Sequence, residues 1–64
     1  MKKVTINSIK QGEYFKFKET ETSPVWIRGY YERTSRKYEC YKYDDVNHER
    51  FINGNTEVFI DFEF

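Results

Sequence analysis

The sequence predicts an all-β domain. Apolar and polar residues alternate with period two, helical periodicity is nearly absent, and Phe, Tyr and Trp make up 20% of the chain. The architecture expected is a small antiparallel sheet of about five short strands, twisted enough to close as an SH3-like barrel, with one short helical turn near residues 46–50.

Each element follows from local pattern. Val4 and Ile6 alternate with Thr5 to open a first strand, and Asn7 to Gly12 reads as a turn because Asn, Ser and Gly favour backbone outside a ladder. After Gly12, Phe15 and Phe17 share one face while Lys16 and Lys18 take the other. Glu19 to Pro24 is polar, ends in proline and has no apolar anchor, so it reads as an exposed loop.

Val25 to Arg33 and Lys37 to Tyr43 are two β-prone runs around Thr34-Ser-Arg-Lys37, the pattern of an antiparallel hairpin. A two-residue loop sets Glu32 against Glu39. A three-residue loop sets Arg33 against Glu39 and Arg28 against Asp44, and charge pairing favours it. In either register Val25, Ile27 and Tyr31 share one face and Trp26, Arg28 and Tyr30 the other. Gly29 in mid-strand signals a bulge or a close approach by another segment.

Asp44 to Phe51 shows no alternation, so Asp44 or Asp45 is expected to cap the helical turn that tucks Val46 and Phe51 inward. Asn53-Gly54 is the strongest turn signal, and as a two-residue hairpin loop it pairs Arg50 with Glu57. From Glu57 onward, Val58, Ile60, Phe62 and Phe64 share a face in a strand that runs to the last residue. The expected core is Val4, Ile6, Phe15, Phe17, Val25, Ile27, Tyr31, Val58, Ile60, Phe62 and Phe64, with Phe51 as a plug.

Sixty-four residues make a single domain, 1–64, that buries only about 60% of the surface its unfolded chain exposes. Cys40 is the one cysteine and His48 the one histidine, so neither an internal disulfide nor a Cys/His zinc site can brace the fold. Aromatic rings, each burying about 150 to 250 Å², are left as the bracing device. The start lacks the apolar stretch of a secretory signal and no run reaches membrane-span length, so a reducing cytoplasmic setting is expected.

Catalytic readings find little to stand on. His48 with Asp44, Asp45 and Glu49 lacks metal-ligand spacing, a Cys40–His48 dyad lacks an orienting third group, and the glycines at 12, 29 and 54 make no phosphate loop. No cofactor, metal or enzymatic activity is expected. Net charge is zero, which disfavours a strongly basic nucleic-acid binder, though the body is mildly basic and the final third acidic.

The constellation left for function is the aromatic-basic hairpin. Trp26, Arg28 and Tyr30, with Arg33, Arg36, Lys37 and Lys42, suit a protein partner or self-association, since Trp, Tyr and Arg dominate interface hot spots. The alternative is single-stranded nucleic acid, with rings stacking on bases beside cations that track phosphates.

The order Gly12-Glu-Tyr-Phe15, Val25-Trp-Ile-Arg-Gly-Tyr30, Arg33, Lys37-Tyr38, Asp44-Asp-Val-Asn47 and Val58-Phe-Ile-Asp-Phe62 resembles a family of small uncharacterised bacterial proteins, some carried on mobile elements or prophages. The resemblance covers most of the chain and implies a compact standalone domain. It brings no activity and no site residue with it.

Overall fold

The computed structural model describes residues 1 to 63 and is all-β. Six strands follow in chain order, β1 (Lys2–Thr5), β2 (Tyr14–Phe15), β3 (Trp26–Glu32), β4 (Lys37–Lys42), β5 (Asp45–Asn53) and β6 (Glu57–Ile60), with a 3-10 turn at Ile6–Ser8. They form two antiparallel sheets, one of β1 with β6 and one in the order β2-β3-β4-β5. An isolated bridge between Lys16 and Phe59 joins the sheets. Each N–H of that pair donates to the other's carbonyl, at 2.9 and 2.8 Å. The two sheets do not close on each other among the described residues, and the outer edge of β5 has no partner strand there.

Lys16 departs from the solvent face expected for it. It is 3% exposed, and its Nζ donates to the carbonyls of Thr20 (3.2 Å) and Glu21 (3.1 Å). The same ammonium lies 4.9 Å above the Phe62 ring. A buried cation needs compensation of this kind, and the two carbonyls supplying it fold the 18–24 loop back over the sheet.

The β3-β4 hairpin forms, with a loop over 33–36 in which Arg36 takes a left-handed φ of 56°. Neither expected register is adopted. Glu32 faces Lys37 and Tyr31 faces Tyr38, and past a bulge Arg28 faces Cys40, Ile27 faces Tyr41 and Trp26 faces Lys42. The Glu32 carboxylate accepts the Thr34 N–H at 2.8 Å, which ties the loop to the strand. Gly29 sits in the bulge, where a Cβ would overlap the Glu39 carboxyl and stand 2.8 Å from the Glu39 carbonyl oxygen. Close approach therefore explains this glycine, while the four-residue loop over 33–36 sets the register next to the turn and the bulge shifts it by one more residue beyond Arg28.

The helical turn near 46–50 is overturned. Residues 45–53 form β5 instead, with Glu49, Arg50, Phe51 and Ile52 opposite Tyr41, Cys40, Glu39 and Tyr38. The missing alternation has a structural cause: between the pairs Tyr41–Glu49 and Lys42–Asp45 the register shifts, and residues 46–48 stand opposite no residue of β4. Asp45 does cap locally, accepting the Asn47 N–H at 3.3 Å, but without starting a helix. Phe51 is 41% exposed and Ile52 is the buried residue, since neighbouring side chains on a strand take opposite faces.

At Asn53-Gly54 the turn forms but not the hairpin. Thr56 N–H donates to the Asn53 carbonyl at 2.9 Å and Asn55 N–H to Asn53 Oδ1 at 3.0 Å. The chain is handed from β5 in one sheet to β6 in the other, so Glu57 faces Thr5 and Arg50 faces Cys40. β6 then ends at Ile60, where Asp61 turns with a φ of 59°, short of the expected run to the last residue. Phe64 lies outside the described residues.

Ile6, Ile9, Phe15, Trp26, Cys40, Ile52 and Val58 form the core, with Val4, Phe17, Tyr38 and Ile60 packed against it. Among the expected core residues, Val25, Ile27 and Phe62 are half-buried and Tyr31 is exposed. Phe15 is fully buried. Phe15→Ala is expected to cost about 3 to 5 kcal/mol and leave little folded protein in thermal or urea denaturation, with Phe62→Ala costing less. Equal losses in the two variants would place the packing centre elsewhere. Gly29→Ala is expected to lower the melting temperature through overpacking, by about 1 to 3 kcal/mol, and an unchanged midpoint would show that Glu39 swings away freely.

Candidate binding surfaces: a basic cleft and an aromatic outer face

Strand register sorts the large sheet into two faces, because opposed residues point the same way. Phe15, Trp26 and Lys42 line up on the inner face with Arg28, Cys40 and Arg50. Tyr14, Ile27, Tyr41 and Glu49 line up on the outer face, as do Glu39 and Phe51. The sequence-nominated residues therefore divide. Trp26 is 6% exposed and belongs to the core, while Tyr30, 47% exposed, stands on the outer face with its ring 6.3 Å from Phe51. Arg28 lies 4.3 Å over the Tyr38 ring and donates from Nη1 to the Gly29 carbonyl at 2.9 Å, with its buried Nε unpartnered. Arg33 and Arg36 sit in the hairpin loop and Lys37 at its edge.

On the inner side, rings pack edge to face in series. Phe15 meets Phe17 at 5.1 Å, Phe17 meets Trp26 at 5.2 Å, and Trp26 meets His48 at 5.6 Å. The Arg50 guanidinium caps this run, 4.7 Å over Phe17 and 5.8 Å over Trp26. Where the 18–24 loop comes back over these rings it leaves a cleft of about 550 Å³. Phe17 and Trp26 floor it, and Lys18, Lys42, His48 and Arg50 stand around it. Sequence reasoning found Trp26 and Lys42 but missed Lys18, His48 and Arg50, since β5 carried no strand signal to bring His48 and Arg50 alongside the tryptophan.

The outer face carries the opposite charge. Glu39 is 9% exposed and its carboxyl is raised above the usual range, first by burial, then by its hydrogen bond and charge contact with Glu49, against a Tyr30 N–H bond that lowers it. The Tyr30 hydroxyl is raised by desolvation and by Glu32, Glu39 and Glu49. Tyr14 and Tyr43 add an edge-to-face pair at 5.7 Å.

Cys40 is fully buried, and burial, helped by Glu39, pushes its thiol up to about 11. A thiol held protonated is a poor nucleophile at neutral pH. Among the described residues no group of three or more His, Cys, Asp or Glu side chains is placed to hold a metal, and no helix is long and apolar enough to cross a membrane. No family model, curated protein or solved structure matches the chain.

The raised Glu39 carboxyl contributes stability that is fully present below its unfolded pKa and lost as pH rises through the higher folded value. Glu39→Gln is therefore expected to gain melting temperature relative to the wild type as pH rises from acid toward neutral. Parallel curves over that range would show that the carboxyl is not perturbed.

Proposed function

We propose that this chain is a non-catalytic protein-interaction or regulatory module that works through the outer face of its hairpin sheet. One observation carries the reading: Tyr30 and Phe51 hold 47% and 41% of their surface open on a rigid sheet while touching each other. Tyr and Phe presented in this way supply large contact area at low entropic cost. Beside them the Glu39–Glu49 pair has no cation partner among the described residues, so the face suits a partner that brings its own positive charge. That partner is another protein or a second copy of the chain. The reading sets the protein in a reducing cytoplasm, which the single buried cysteine supports.

Single-stranded nucleic acid has less support. Of its two stacking rings, Trp26 is 6% exposed and already flanked by Phe17, His48 and Arg50, which leaves Tyr30, on the face opposite Arg28 and Lys42.

Affinity capture with the immobilised protein tests the reading, with Tyr30→Ser and Phe51→Ser as paired controls. Both side chains are exposed, so the variants are expected to stay folded while a specific partner is lost by at least tenfold. Sedimentation velocity over a range of concentrations reads the same variants for self-association. A partner set and sedimentation profile unaffected by either substitution would end the outer-face reading.

A further inference from the structure

The inner cleft is not used by the outer-face reading, and its chemistry points elsewhere. Its volume of about 550 Å³ falls within the roughly 300 to 1,000 Å³ of small-ligand sites. Lys18, Lys42 and Arg50 bring three cations to it, with the His48 imidazole beside them, and no carboxylate lines it although the whole chain is neutral. Glu19 and Glu21, on the loop that walls the cleft, are not in its lining. None of the four groups makes an ion pair among the described residues. Like charges gathered without a counterion raise the local potential, and low-dielectric walls focus it on whatever enters.

Arg50 adds geometry to charge. Its guanidinium carbon lies 4.7 Å from the Phe17 ring centroid and 5.8 Å from that of Trp26, which holds the group over the floor of the cleft, and no hydrogen bond among the described residues occupies its N–H fork. A fork of that kind matches two oxygens of a phosphate. Thr20, Thr22 and Ser23 also line the cleft, with the Thr20 and Ser23 hydroxyls hydrogen-bonded to each other. The ring faces of the floor are covered, so the recognisable part of the ligand is its anionic end.

We propose that the cleft between the 18–24 loop and the ends of β3, β4 and β5 binds a small ligand bearing linked phosphates, held by Arg50, Lys18 and Lys42. Inorganic polyphosphates and nucleoside polyphosphates share this chemistry. The site is independent of Tyr30 and Phe51, so either can fail without the other.

The test is a titration of the isotopically labelled protein with pyrophosphate at low salt, followed by amide shifts and by fluorescence of Trp26, the one tryptophan. Saturable changes centred on Lys18, Lys42, His48 and Arg50 are expected, with a Kd weakened at least tenfold in the double variant Lys18→Gln/Lys42→Gln. These lysines are not in the core, and an unchanged melting temperature confirms the variant's fold. If that variant unfolds, Arg50→Lys is read instead, since it keeps charge and loses the fork; weakened binding supports the proposal and unchanged binding refutes it. A nucleoside triphosphate run in parallel separates the sources, with tighter binding than pyrophosphate favouring a nucleotide and equal binding the polyphosphate alone. Shifts that fail to saturate, or that are as large at Arg33, Arg36 and Lys37, would reduce the cleft to diffuse surface charge and overturn the proposal. So would tighter binding of a single-stranded oligonucleotide with shifts spreading onto the hairpin loop, which would hand the surface to nucleic acid.

Discussion

The two sheets meet through a bridge one residue long, in which Lys16 and Phe59 exchange both of their backbone hydrogen bonds, and much of the remaining architecture follows from where that bridge puts the Lys16 side chain. Burying an ammonium is costly unless oxygens surround it. The carbonyls of Thr20 and Glu21 meet that need by folding back, and the loop they belong to becomes a wall of the cleft over Phe17 and Trp26. A contact that joins sheets therefore also shapes a surface. With a single cysteine in the chain and no metal ligand set among the described residues, a polar side chain does part of the work of a cross-link.

Rings, rather than carboxylates, receive the cations. Lys16 lies over Phe62, Arg28 over Tyr38, and Arg50 over Phe17 and Trp26, while no ion pair forms among the described residues. Exposed ion pairs contribute about 0 to 1 kcal/mol, and a cation over a ring contributes about 0.5 to 2 kcal/mol depending on desolvation while also shielding apolar surface. For a core of seven buried hydrophobic side chains among the described residues, that shielding favours the arrangement. It also leaves the charges sorted by face, with Glu39 and Glu49 outside and Lys18, Lys42 and Arg50 around the cleft.

The all-β class, the hairpin, the exposed 19–24 loop and the crowding at Gly29 could be read from residue pattern, because period-two alternation and a glycine in mid-strand are local signals. What failed was whatever depended on pairing across the chain. Trp26 and Ile27 are adjacent and equally β-prone, and only the opposing sheet decides that Trp26 goes inside. Asn53-Gly54 announced a turn correctly, yet a turn signal does not say whether the next strand pairs back or crosses to another sheet. The three-residue shift at 46–48 erased the alternation that would have revealed β5. For the same reason the cleft was only partly legible, since His48 and Arg50 lie on that strand.

That shift also bears on how the molecule behaves in a crowd. β5 is nine residues long and one of its sides offers unpaired backbone groups, with Val46 65% exposed beside them. A regular strand in that position is a template on which further chains add end over end into fibrils. The break in register interrupts the spacing of donors and acceptors that an incoming strand must match, and Asp45, Glu49 and Arg50 put charge on either side of the break. The irregularity that hides β5 in the sequence is what denies a polymer its first rung.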